Sequence, residues 1–76
     1  MGTKTNGKLI DPCLEKIQEG EKFFVLREQD LASPEVIRYW AKKTLENGKP
    51  SKQKIQAAYD TAEAMESSNM EKKWAD

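Results

Sequence analysis

Two apolar stripes separated by a helix breaker constrain this chain more than any other feature. Val36, Ile37, Trp40, Ala41, Thr44 and Leu45 recur at i, i+3, i+4 spacing, and Ile55, Ala58, Tyr59, Ala62 and Met65 do so again. Between the stripes lies Asn47-Gly48-Lys49-Pro50-Ser51. Gly and Pro end the first helix, and Ser51 is placed to cap the second. Ser33-Pro34-Glu35 opens the first with a capping hydroxyl, a proline at the first helical position and an acid at the positive end of the dipole. The pattern predicts helices over about 34–47 and 52–66. A link this short makes them lie antiparallel.

The flanks carry weaker signals. Residues 1–8 are polar and without periodicity, which predicts a flexible tail, with residues 9–76 forming a single small domain. Asp11-Pro12 marks a second helix start, with Cys13, Leu14 and Ile17 on one face and Gly20 at its end. Phe23-Phe24-Val25-Leu26 is an apolar run between charges that fits an extended segment or a short buried helical turn. Met70 and Trp74 are four apart and suggest one more helical turn. The expectation is an all-α domain: a central antiparallel helix hairpin, a short N-terminal helix and one short extended segment.

Composition bounds the stability and the chemistry. Five Leu, four Ile, two Val and two Phe make 13 of 76 residues, too few for a large core. Thirteen basic and 13 acidic side chains cancel, so the high net charge of a disordered chain is absent. A domain of this kind is expected to gain stability from self-association or a ligand. There is no histidine and one cysteine, which removes histidine-based triads, internal disulfides and paired-thiolate zinc sites. No enzyme chemistry, cofactor or metal is expected. No membrane-span length or secretory leader is read, and the cytoplasm is the expected compartment.

Two arginines stand among eleven lysines. Lysine suffices for surface charge, so Arg27 and Arg38 mark places that want planar, directed hydrogen bonds. Arg38, Tyr39 and Trp40 are consecutive and could pair a guanidinium with an aromatic platform for an anionic ring-bearing ligand. The alternatives are a core position for Trp40 and a structural ion pair of Arg27 with Asp30 or Glu35. Lys42, Lys43, Lys49, Lys52 and Lys54 surround the hairpin turn with Glu46 alone among them, a field that attracts anions or merely compensates the dipole. Total charge of zero argues against double-stranded nucleic acid. Met70 and Trp74 are candidate interface residues, docked on the chain's own core or offered to a neighbour.

Phe24-Val25-Leu26-Arg27-Glu28-Gln29-Asp30, followed by Ser33-Pro34-Glu35-Val36-Ile37-Arg38-Tyr39-Trp40-Ala41, resembles a pattern in small uncharacterised bacteriophage and prophage proteins. That pattern reads F-V-L-R-x-x-D, a short gap, then [AS]-P-x-x-[VI]-R-x-W-A, and the resemblance spans about residues 11–66. It implies Arg27, Asp30, Pro34, Arg38 and Trp40 as pattern positions and brings no established activity. Small phage proteins without catalytic equipment often block a host protein or sequester a nucleotide signal of a defence system. Two expectations follow. One is a homo-oligomer that captures an anionic, nucleotide-like ligand through Arg27, Arg38, Tyr39, Trp40, Lys42 and Lys43. The other is an inhibitor or adaptor that docks on a host protein through Tyr39, Met70 and Trp74.

Overall fold

Asn6 and Gly7 both take positive φ, 53° and 77°, the backbone of a two-residue type I′ hairpin turn. In the computed structural model, which describes residues 2–75, they join β1 (Thr3–Thr5) to β2 (Lys8–Ile10). The strands run antiparallel, with Thr3 opposite Ile10, Lys4 opposite Leu9 and Thr5 opposite Lys8. The fold is therefore mixed α and β, and the all-α expectation is corrected here. The physical reason is that the hairpin lacks the alternation of apolar and polar residues that marks a half-buried strand. Every residue of both strands is exposed, so burial imposes no pattern on their sequence. The Asn-Gly dipeptide is the one local signal it carries.

Asp11 caps α1 (Pro12–Glu15), its Oδ1 accepting from the Cys13 N–H at 2.9 Å. The helix stops after one turn, short of the expected end at Gly20. None of its residues is buried, and a helix without a packed face does not propagate. Beyond it, residues 21–27 run without a turn or bend and join no sheet.

The two long helices are α2 (Ser33–Asn47) and α3 (Lys52–Ser67). Ser51 caps α3 as expected, accepting from the Lys54 N–H at 3.1 Å. Ser33 does not cap α2. It is fully buried, and its Oγ donates to the Arg27 carbonyl at 2.8 Å. No side chain caps α2; just ahead of it Asp30 Oδ1 accepts from the Ala32 N–H at 2.9 Å and shapes the turn that leads into the helix. At the other end Gly48 is extended (φ −125°), not left-handed. Its missing Cβ matters because that atom would lie 3.1 Å from the Thr44 carbonyl oxygen, which accepts from the Gly48 N–H at 2.8 Å.

The core is Ile37 and Ala41 from α2 against Ile55, Ala58 and Ala62 from α3. Three of these five are alanines, which let two helix backbones approach closely but bury little area. Leu26 and Met65 border the cluster half-buried. Of the rest of the predicted α2 stripe, Thr44 is half-buried and Val36, Trp40 and Leu45 are exposed. The packed element pairs are α2 with α3 and β1 with β2, so the N-terminal hairpin leans on neither long helix. After α3 the chain turns back without the expected helical turn at Met70–Trp74. Lys73 forms a parallel bridge with Asp30, its N–H donating to the Gln29 carbonyl and its carbonyl accepting from the Leu31 N–H.

Candidate functional site

On α2, successive residues turn by about 100°, so Arg38, Tyr39 and Trp40 fan across more than half of the helix circumference. They do not converge on one ligand. Arg38 is turned to α3, where its guanidinium grips Glu66 in a bidentate pair, Nη1 to Oε2 at 2.7 Å and Nη2 to Oε1 at 2.5 Å. The hydrogen bonds from Arg38 hold the Glu66 carboxyl below the usual carboxylate range, helped by the charges of Arg38 and Lys72. Tyr39 is 62% exposed and lies under its own i+4 neighbour, with Lys43 Nζ 5.8 Å from the ring centroid. Trp40 is neither core nor part of a stacking platform with Arg38.

Arg27 has a different setting. Its carbonyl is fixed by Ser33 and by the Asp30 N–H, while its guanidinium is exposed and bonds to no side chain among the described residues. The expected ion pair with Asp30 or Glu35 does not form. Arg27 lines a shallow groove of about 360 Å³ together with Phe24, Val25, Asp30, Lys73 and Ala75. The Asp30–Lys73 bridge makes this groove by drawing the C-terminal segment against residues 24–30. The sequence singles out Arg27 and offers Asp30 as its neighbour, but gives no sign of Phe24 and Lys73 as further companions. The hint available is the apolar run that ends at Arg27.

The remaining candidates are dispersed. Lys42, Lys49, Lys52 and Lys54 are exposed around the helix turn. Met70 is 50% and Trp74 69% exposed, so neither is docked on the chain's own core. Cys13, expected to face the interior with Leu14 and Ile17, is exposed. Of the carboxylates along α3, Asp60 accepts from Gln56 and Glu66 holds Arg38, so no facing acid pair arises there. Among the described residues, no three His, Cys, Asp or Glu side chains gather to hold a metal ion. No helix among them is long and apolar enough to cross a membrane.

A second hollow, of about 280 Å³, lies between β2 and α1 and is walled by Leu9, Ile10, Pro12 and Leu14. No family model matches the chain, and comparison with curated proteins and with solved structures finds no match.

Proposed function

We propose that this chain is a non-enzymatic binding protein that self-associates and docks on a partner protein through aromatic side chains its own fold leaves uncovered. One observation carries the reading. The buried core holds five residues, three of them alanine, while Phe23, Phe24, Val25, Tyr39, Trp40, Met70 and Trp74 stay between 39% and 85% exposed. Large apolar side chains left to water in that number, beside a core that small, support a contact surface. Aromatic and methionine side chains are the types enriched in interface cores. The absence of histidine supports a role by contact and not by catalysis, and the reduced cytoplasm of a host cell suits the unpaired thiol of Cys13.

Sedimentation velocity and native mass spectrometry from micromolar to millimolar protein test the self-association. A mass that grows with concentration is expected, and a monomer throughout refutes it. Docking is tested separately by Trp74→Ala and Tyr39→Ala in a host-protein capture experiment, where loss of the captured partner with little salt dependence is the expected result.

A second reading rests on Arg27. An exposed guanidinium that bonds to no side chain among the described residues, in a groove beside the Phe24 ring, suits an anionic, ring-bearing ligand such as a nucleotide. Sequestration of a nucleotide signal from a defence system would follow from the phage resemblance. The Arg38–Glu66 pair removes the second phosphate grip from this scheme, which is why the docking reading stands first. A retained mass of a few hundred daltons per chain, lost in Arg27→Ala, would reverse that order.

A further inference from the structure

The chain is neutral as a whole, but its charge is not evenly spread. Residues 42–54, which end α2, turn and open α3, hold five lysines against Glu46 alone, a local charge of +4. No carboxylate pairs with any of the five among the described residues. Lys43 meets the Tyr39 ring, and Lys42, Lys49, Lys52 and Lys54 stand exposed.

Helix geometry divides these lysines between two sides of the hairpin. At about 100° per residue, the arc of α2 that runs from Tyr39 to Trp40 takes in Lys43, Val36 and Asn47 and no carboxylate. Arg38 lies about 160° round the helix from Trp40, and Glu63 and Glu66 of α3 gather on it. On α3, Lys54 points about 180° away from Glu63 and so opens on the side of Trp40. Lys42, one turn from Arg38, and Lys52, three turns from Glu63, fall on the acidic side. One side of the hairpin therefore presents Tyr39, Trp40, Lys43 and Lys54, with Lys49 at its end and no carboxylate among them.

We infer that this side binds single-stranded nucleic acid: bases stack on Tyr39 and Trp40, and Lys43, Lys49 and Lys54 contact the phosphates. The rings are 62% and 39% exposed, and exposed rings beside unneutralised ammonium groups are the two components a single strand needs. A duplex keeps its bases stacked on one another and leaves such rings idle. A protein partner fits this side less well, because protein interfaces are depleted in lysine and enriched in arginine, and the side carries three lysines and no arginine. Lys43 Nζ lies 5.8 Å from the Tyr39 ring centroid, so one nucleotide can meet both. From Tyr39 to the end of α2 is about 12 Å, which limits the footprint to a few nucleotides. The surface goes beyond the docking proposed above and leaves Phe23, Phe24, Met70 and Trp74 to protein contacts.

The test is fluorescence anisotropy of a labelled oligothymidylate of about 12 nucleotides titrated with the full chain. Three phosphate contacts predict a slope of log affinity against log salt near −2, at about 0.7 per contact for a single strand. Two variants carry the same charge change on the same two helices. Lys43→Gln with Lys54→Gln should weaken binding by about ten-fold and bring the slope to about −0.7. Lys42→Gln with Lys52→Gln, on the acidic side, should change affinity by no more than about two-fold. Tyr39→Ala should weaken binding about five-fold or more and leave the slope alone, because stacking releases no counterions. All these positions are exposed, and unchanged helical circular dichroism confirms that each variant folds. No binding by the native chain at about 50 mM salt overturns the inference. So does equal loss in the two double variants, which makes the attraction a matter of total charge. Competition by polyglutamate of equal length as strong as by unlabelled oligothymidylate also overturns it, and assigns the lysines to an acidic protein partner.

Discussion

Replacing Ile37 by alanine removes the larger of the two side chains that α2 contributes to the core. Ile37 is 7% exposed and packs beside Ala41 against Ile55, Ala58 and Ala62. The substitution deletes three buried carbons, worth about 0.8 kcal/mol each, or roughly 2.4 kcal/mol of transfer free energy. A residual cavity adds to this, but Leu26 and Met65 border the cluster and can relax into part of the space. The expected loss is about 2–3 kcal/mol, the lower part of the range for such truncations. A chain of this size has a total of only about 4–11 kcal/mol at ordinary stability per residue. The variant should therefore lose a large fraction of its stability, with a drop in melting temperature on the order of 10–20 °C. Urea and thermal unfolding followed by helical circular dichroism would measure it, at a protein concentration low enough to keep association from adding to apparent stability. Val36→Ala is the control one position away. Val36 is 44% exposed, and alanine is the better helix former, so its effect should stay within about 0.5 kcal/mol. An Ile37→Ala variant as stable as the native chain, or no worse than Val36→Ala, would refute the assignment of the α2–α3 interface.

Three further outcomes follow from the same contacts. Ser33→Ala removes a buried donor to the Arg27 carbonyl and should cost about 1 kcal/mol in urea unfolding, an unchanged midpoint counting against the bond. The Glu66 carboxyl is held below its ordinary value by Arg38. Its contribution to stability is therefore full above the ordinary carboxylate range and fades as pH falls through the lowered value. Thermal melts of native chain and Glu66→Gln at low salt should converge on acidification, and a gap that persists into strong acid would contradict this. Gly7→Ala, at φ +77°, should abolish the contacts between Thr3 and Ile10 in NMR spectra while leaving the helical melt untouched, because the hairpin packs on neither long helix. A lowered melt would show that it does.

Much of the helical layer is legible in the amino-acid sequence. Pro34, Gly48, Pro50 and Ser51 act on the backbone within a few residues of themselves, through a fixed φ, a missing Cβ or a capping oxygen, and such effects survive any tertiary setting. The helix limits they predict, about 34–47 and 52–66, lie within one residue of Ser33–Asn47 and Lys52–Ser67. Even there the role of Ser33 is not legible, since a serine at a helix start can cap it and only the path of residues 27–32 turns its hydroxyl to the Arg27 carbonyl instead.

What tertiary structure alone decided is which member of each pattern meets what. A stripe at helical spacing names more apolar residues than a two-helix contact can bury. The closeness of Ala41, Ala58 and Ala62 selected a narrow seam and left Trp40 and Leu45 outside it. The same contact placed Glu66 before Arg38 and so withdrew from the ligand scheme a residue that adjacency had joined to Tyr39 and Trp40. Arg27 acquired Lys73 as a companion across most of the chain length, through one parallel bridge that carries no local sequence signal. Local backbone preferences are properties of the amino-acid sequence itself. Partners separated by tens of residues are properties of the packed chain, because many side chains compete for each contact and geometry admits few of them.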